Sequence, residues 1–198
     1  MELRGGAEEG LALRLCALTS EFYRANAESF SQTRQSPWQG WARLLEVVDA
    51  ASGQDPLRVL DLACGNLRFE RYLADALPGR MLSGWAVDNC DPLAEAGERG
   101  GFVAVSFWRF LNSEKLARKA QETTSRALVE LGLSELPPND YLLGWQDTQG
   151  LYRYCHHFDE PEIERLLAAV ADSAELVSCF EADGKTGNLN EYVVLRVK

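Results

Sequence analysis

Residues 57–69, which read Leu-Arg-Val-Leu-Asp-Leu-Ala-Cys-Gly-Asn-Leu-Arg-Phe, decide the fold. The run 57–62 is compact, mostly apolar and bounded by turn residues, and such a run predicts a buried parallel strand. The turn 63–66 follows and contains Gly65. A helix opens after this turn, and its apolar side is made by Leu67, Tyr72, Leu73 and Leu77.

A second strand is predicted at residues 82–87, and it closes on Asp88. Strand, glycine turn, helix and strand with a terminal carboxylate make up the first βαβ unit of a nucleotide-binding fold. Small residues in the turn let backbone amides approach a bound cofactor, and the carboxylate is placed to accept hydrogen bonds from ribose hydroxyls. The alternative is a tight strand-to-helix connection without a ligand, since similar turns occur in many α/β proteins.

The segments around this unit also carry periodic patterns. Apolar residues at helical spacing predict two N-terminal helices, over 11–22 and 38–48, which separate near Pro37. A third buried strand is predicted at 102–107, and a helix at 113–131 follows it. These elements indicate an α/β fold.

The C-terminal part predicts one more helix and a hairpin. Asp159 and Glu162 have the spacing of a capping box, and the last helix follows with its apolar stripe at Ile163, Leu166, Leu167 and Val170. Strands at about 175–181 and 191–197 flank a Gly-Lys-Thr-Gly-Asn turn. Such a pair is most simply an antiparallel hairpin at one edge of a sheet.

Length and composition predict a single domain. The 198 residues have 46% apolar content, which suffices for one well-packed core. Within that domain we expect N-terminal helices over 1–50, the βαβ cofactor unit over 57–88 and a C-terminal half over 100–198. Five cysteines without Cys-x-x-Cys spacing indicate reduced thiols, and no 18-residue apolar segment appears. We therefore expect a soluble, cytoplasmic protein without a membrane segment.

The net charge of −10 excludes a free-standing nucleic-acid binder, because phosphate binding depends largely on Lys and Arg. Five cations lie close together in sequence: Arg109, Lys115, Arg118, Lys119 and Arg126. They could form a local basic strip. We favour a solvated helix face, because glutamates are interleaved with them.

Three separated segments resemble one family. Residues 61–69 resemble the first motif of class I methyltransferases, which use S-adenosylmethionine, particularly the Gly-Cys-Gly-Asn-Gly-Arg version of the tRNA wobble-uridine carboxymethyl methyltransferase family. Tyr23 and residues 30–38 look like that family's Phe-Ser-x-Thr-Arg-x-x-Pro-Trp signature. Residues 153–158 resemble its late Arg-Tyr-Tyr-His-x-Phe element, and residues 140–145 are similar to its Asp-Tyr-Leu-Val-Pro-Trp.

The resemblance implies a Rossmann-like class I methyltransferase fold, with a mostly parallel sheet and an antiparallel C-terminal hairpin. It implies methyl transfer from S-adenosylmethionine to an oxygen, a carboxylate by preference, of a modified tRNA wobble uridine or a small molecule. It also suggests a small activating protein partner. The rival hypothesis is a non-catalytic, Rossmann-like binding or scaffolding protein with a degenerate cofactor site.

The predicted site follows from these matches. A carboxylate is already ionised at neutral pH, so the site must mainly orient it, and a guanidinium suits that task. The predicted catalytic residues are Arg34, Arg153 and His156. The predicted cofactor-binding residues are Trp38, Asp61, Ala63, Cys64, Gly65, Arg68, Asp88 and Asn89. No metal site is predicted. Which arginine grips the acceptor and which the cofactor's carboxylate stays open.

Ordinary structural roles are the alternatives for several of these residues. Arg34 can be a surface residue, His156 a structural histidine beside a strand, and Trp38 part of the core together with Trp41.

The chain departs from the family in two places. Only the eleven residues 89–99 separate Asp88 from Gly100, too few for the central strands and helices that the family places there. Either a segment is missing from this sequence, which we favour, or the chain is an internally shortened relative. Ala63 and Leu67 also replace two family glycines, and a leucine is acceptable at the second position provided that its φ is negative.

Overall fold

The computed structural model describes residues 3–52, 57–62, 64, 66–87, 102–146 and 148–198. Five α-helices lie in these ranges: α1 (Leu3–Gln32), α2 (Gln39–Ser52), α3 (Arg68–Ala76), α4 (Glu114–Leu131) and α5 (Glu160–Val170). Seven strands accompany them: β1 (Leu57–Leu62), β2 (Leu82–Val87), β3 (Phe102–Trp108), β4 (Asp140–Leu143), β5 (Arg153–His156), β6 (Ala174–Ala182) and β7 (Asn190–Val197). An α/β composition is confirmed.

The chain divides into two compact units. Unit 1 comprises Met1–Gln32 and Trp108–Asp159, and unit 2 comprises Thr33–Phe107 and Glu160–Lys198. Each unit is therefore assembled from two separate stretches of chain. The single domain expected over residues 1–198 stays a prediction.

Unit 1 packs helices α1 and α4 around a short antiparallel pair, β4 and β5. Ser113 caps α4, because its hydroxyl accepts a hydrogen bond from the Leu116 amide at 3.5 Å, and Gly132 ends the helix in the left-handed conformation. The buried face of α4 carries Ala120, Thr123 and Ala127. The hydroxyl of Thr124 on the same helix accepts a hydrogen bond from the Leu142 amide at 2.9 Å, which ties α4 to β4.

Unit 2 contains two sheets among its described residues. β1 and β2 pair in parallel, and β3, β7 and β6 form a three-stranded sheet in that order. The antiparallel hairpin of β6 and β7 confirms the prediction for the C-terminal strands. The core against this hairpin consists of the buried residues Trp41, Leu44, Phe180, Tyr192 and Val194.

Two expectations about the sheets are wrong. The described strands form three separate sheets of mixed character rather than one mostly parallel sheet. β1 is not fully buried as predicted, because the described residues leave part of it uncovered: Leu60 is 40% exposed. β3 is likewise mostly half-buried, with only Phe107 in the core.

The predictions for helices α4 and α5 have different outcomes. The predicted helix at 113–131 matches α4, with its buried alanines on one side. The apolar stripe predicted for α5 is only partly buried, since Ile163 is in the core while Leu166 and Val170 are exposed. Among the described helices, none is long and apolar enough to cross a membrane.

Candidate functional site

The strand ends of the βαβ unit meet at one edge. β1 pairs with β2 from Leu57 opposite Leu82 to Leu62 opposite Val87, so both strands end side by side. Ligands of open α/β sheets bind outside this carboxyl edge. Asp61 lies half-buried near the end of β1. Four predicted cofactor residues, Ala63, Gly65, Asp88 and Asn89, lie outside the described residues.

The turn after β1 is in contact with the N-terminal signature segment, residues 33–38. The side-chain amide of Asn66 donates a hydrogen bond to the Arg34 carbonyl at 3.0 Å. The Arg68 guanidinium donates to the Ser36 carbonyl, also at 3.0 Å. Two sequence segments that were matched independently to one family therefore lie together in unit 2.

Arg34 contributes its backbone to this contact. Its own guanidinium donates to the Thr33 hydroxyl at 3.3 Å and the side chain is half-buried. Because the contact with the turn is made by the backbone carbonyl, it does not choose between a surface role and a site role for the Arg34 side chain. The grip on a carboxylate stays a prediction.

Arg68 lies between two tryptophans. Its guanidinium carbon is 5.2 Å from the ring centroid of Trp38 and 5.0 Å from that of Trp41. Burial lowers the pKa of the guanidinium from its usual value, and the nearby Tyr192 and Asp183 oppose this shift. Arg68 thus makes cation–π contacts in addition to its hydrogen bond to residue 36, and these hold the signature segment against α3.

The two tryptophans have different environments. Trp41 is 8% exposed and belongs to the core, whereas Trp38 is 37% exposed. Their ring centroids are 5.7 Å apart. The core interpretation therefore fits Trp41 and not Trp38, whose exposed ring is available as a wall for a ligand.

The backbone at Leu67 differs from expectation. Leu67 has φ 58 and ψ 32, the left-handed conformation, immediately before α3. The assumption of a negative φ is wrong, because the chain must reverse here to start the helix after the Cys64 turn, whose carbonyl accepts from the Leu67 amide at 3.1 Å. A left-handed residue with a Cβ costs roughly 1–2 kcal/mol, which a glycine avoids.

A cleft of about 180 Å³ lies between the signature segment and α3. Its lining residues are Gln35, Pro37, Arg68, Arg71, Tyr72 and Asp75. Small-molecule sites usually measure about 300–1,000 Å³, so this cleft holds at most part of a ligand the size of S-adenosylmethionine. Asp61 near the end of β1 carries a carboxylate, the type of group that accepts hydrogen bonds from ribose hydroxyls.

Arg153 in unit 1 is surrounded by aromatic rings. Its guanidinium carbon lies 5.7, 5.3 and 5.2 Å from the ring centroids of Phe22, Phe30 and Trp108, respectively. Among the described residues it donates one hydrogen bond, to the Tyr23 hydroxyl at 3.1 Å. Its Nε is buried without a partner there. A cation in such a place retains donors for an anionic group.

His156 belongs to a different cluster of unit 1. Its Nδ1 lies 2.5 Å from Oδ1 of Asp140, and the Tyr154 hydroxyl donates to the same oxygen at 2.8 Å. The Asp140 side chain is 8% exposed. Because side chains alternate along a strand, His156 and Arg153 project from opposite faces of β5. The two residues are thus not brought to one point.

Sequence reasoning missed Asp183, whose side chain is buried in the hairpin loop of unit 2. Its carboxylate accepts hydrogen bonds from the Gly40 amide at 3.0 Å, from Asn190 at 2.8 Å and from the Tyr192 hydroxyl at 2.7 Å. It therefore caps the start of α2, the helix that follows Trp38. The only sequence signal was the Asp183-Gly184 pair typical of tight turns.

The part of the chain that the structure describes contains no cluster of three His, Cys, Asp or Glu residues able to hold a metal ion.

Comparisons with known proteins leave the family open. No family model matches the chain, and no curated protein matches it. A solved structure from Methanosarcina mazei, described as a SAM-dependent methyltransferase, is similar to this chain with 12% sequence identity and a TM-score of 0.47. That similarity covers 76% of this chain and 96% of the other. Both values are too low to assign a family or a fold, so the function is proposed from the chain's own residues.

Proposed function

We propose that the chain is an S-adenosylmethionine-dependent methyltransferase that acts on an oxygen, by preference a carboxylate oxygen. The observation that carries the proposal is the contact of residues 33–38 with the turn after β1, through the Asn66 and Arg68 hydrogen bonds. Both segments resemble motifs of one methyltransferase family, and their meeting at the carboxyl edge of a βαβ unit supports a shared role.

The donor would be held in unit 2. S-adenosylmethionine, when bound, supplies an electrophilic methyl group on a sulfonium centre. The residues that would hold it are Trp38, Asp61, Ala63, Cys64, Gly65, Arg68, Asp88 and Asn89. In this set the turn would provide backbone N–H donors, and Trp38 would provide an exposed ring. The acidic side chains would accept hydrogen bonds from ribose hydroxyls.

The acceptor would be oriented by arginine. A carboxylate needs no base, so the task is to hold its oxygen in line, which bidentate hydrogen bonds from a guanidinium accomplish. Arg34 and Arg153 are the proposed residues, one for the acceptor and the other for the donor's own carboxylate, in an order that stays open. His156 is the third proposed catalytic residue; it is held by Asp140 on the face of β5 opposite Arg153, so its proposed role is separate from that of the guanidinium. A modified wobble uridine in tRNA or a small molecule is the proposed acceptor, and the proposal extends to a small activating partner and a cytoplasmic location.

Calorimetric titration of the full chain with S-adenosylmethionine tests donor binding. We expect saturable heat in the wild type and at least tenfold weaker binding in Asp88→Ala, since a ribose contact of about 1.4 kcal/mol is lost. Asp172→Ala, at an exposed position of unit 2, is the matched control and should bind normally. No interaction at millimolar ligand would contradict the proposal.

A non-catalytic binding or scaffolding protein is the second candidate. The left-handed Leu67, in place of a family glycine, favours it, because a Cβ at the turn narrows the backbone approach to a donor. Absence of donor binding in the titration would support this candidate.

The acceptor is tested separately. The chain is incubated with methyl-labelled donor and bulk tRNA, and the tRNA is then digested to nucleosides. Label on a wobble uridine supports the tRNA acceptor. Label on a metabolite and none on wobble uridines rejects the tRNA part while retaining methyl transfer.

A further inference from the structure

Arg153 carries its positive charge among aromatic side chains with little compensation. Of the five N–H donors of a guanidinium, one is used within the described residues, by the Tyr23 hydroxyl. The three rings around it supply cation–π attraction, which offsets only part of the cost of removing a charge from water. An anionic group at the remaining donors would complete the arrangement.

Tyr23 is held firmly in this cluster. Its ring packs edge-on against Phe22 at 5.3 Å and 89°, and against Phe30 at 5.1 Å and 88°. A second hydrogen bond also fixes α1 relative to β5, since the Tyr154 amide donates to the Thr19 hydroxyl at 3.0 Å. The Tyr23 hydroxyl therefore has a defined position relative to the Arg153 backbone.

A single hydrogen bond at Nη1 can set the plane of a guanidinium. The arginine side chain has several rotatable bonds. The aromatic rings around it limit how far the guanidinium plane can tilt, but the plane can still rotate between them. The bond to Tyr23 selects one rotation and thereby directs the unused donors. Tyr23 is 40% exposed, so this edge of the cluster is reachable from solvent.

We infer that Tyr23 is a positioning residue that orients the Arg153 guanidinium toward a carboxylate ligand. Its use in orienting a methyl acceptor rests on the proposed function. Tyr23 acts through Arg153 and makes no contribution of its own to the reacting atoms.

The test is an NMR titration with sodium acetate, read at the Nε–Hε signal of Arg153 and assigned by its loss in Arg153→Lys. In the wild type we expect the signal to shift saturably with acetate and not with chloride at equal ionic strength. Tyr23→Phe keeps the ring and removes only the hydroxyl. It should weaken acetate binding about tenfold, because a guanidinium that is no longer held by Tyr23 loses the equivalent of one well-directed hydrogen bond to the anion.

Tyr152→Phe is the matched control. It also removes one hydroxyl from unit 1, which is hydrogen-bonded to Glu130 at 2.5 Å and not to Arg153. Its acetate affinity should equal that of the wild type. The thermal unfolding midpoint of Tyr23→Phe should fall by no more than a few degrees, as expected for one hydrogen bond, so that the variant stays folded during the titration.

Equal acetate affinity in Tyr23→Phe and the wild type would overturn the inference, and so would a wild-type Arg153 signal that ignores acetate. The titration contains no methyl donor. Failure of the proposed function would instead appear as absent binding of S-adenosylmethionine in calorimetry, so the two failures are distinguishable.

Discussion

Among the described glycines of unit 2, Gly40 is the one where an added methyl group should disturb the packing most. A Cβ on Gly40 would lie 2.3 Å from Cε2 and 2.5 Å from Cζ of Tyr192, well inside van der Waals contact. The Tyr192 ring has little freedom to move away. It is 2% exposed, stacks on Phe180 at 5.1 Å and 5°, and is hydrogen-bonded to Asp183.

The cost of Gly40→Ala follows from these contacts. Overpacking a filled core costs about 1–3 kcal/mol, and weakening the hydrogen bond from Tyr192 to a carboxylate adds about 1.5–3 kcal/mol. The better helix propensity of alanine returns about 1 kcal/mol. We therefore expect Gly40→Ala to lower the free energy of unfolding by about 1.5–5 kcal/mol.

Urea unfolding followed by circular dichroism measures this change. Gly10→Ala is the control, because Gly10 also lies in a helix and a Cβ there meets nothing within 4 Å. That variant should be as stable as the wild type or up to about 1 kcal/mol more stable. If Gly40→Ala were as stable as Gly10→Ala, the packing of Tyr192 against the start of α2 would be refuted.

Three further predictions concern unit 2. Leu67→Gly should raise the free energy of unfolding by about 1 kcal/mol in urea titrations, because glycine adopts the left-handed conformation without strain; a loss of stability would contradict the strained turn. Burial, and then the hydrogen bond to Asp183, raise the pKa of Tyr192, so its contribution to stability is present below the ordinary tyrosine pKa and lost as pH rises above about 10. The free energy of unfolding measured from pH 8 to 11 should fall less steeply in Tyr192→Phe, and identical slopes would speak against this assignment. Arg68→Lys should lower the free energy of unfolding by about 1–2 kcal/mol through lost contacts with Trp38 and Trp41, whereas Arg165→Lys, at an exposed site of α5, should change nothing measurable.

Local signals predicted several elements with their bounds. β1 and β2 have the ranges expected from their apolar runs, and α4 begins after its Ser113 cap. Runs between turn residues and caps depend on neighbours in sequence, which is why they can be recognised without the fold.

Pairing and burial could not be predicted in the same way. The pairing of β4 with β5 joins two four-residue strands that are too short for a periodic pattern. Leu60 is 40% exposed because the described residues do not cover it, which an apolar run does not reveal. Both depend on contacts between distant parts of the chain.

The sequence could predict those parts of the site that lie within a continuous motif. The resemblance identified residues 33–38 and the turn after β1, and their hydrogen bonds became visible only in three dimensions. The hydrogen-bond partner of Arg153, Tyr23, lies 130 residues earlier on α1, and Asp183 reaches the Gly40 amide from the far end of the chain. No spacing rule connects residues so far apart.

Hydrogen exchange of the full chain with and without S-adenosylmethionine tests the location of the donor site most directly. The account predicts slower amide exchange in residues 33–38 and 61–68 when the donor is present, and unchanged exchange in the β6–β7 hairpin. Protection elsewhere, with none in these two segments, would contradict it.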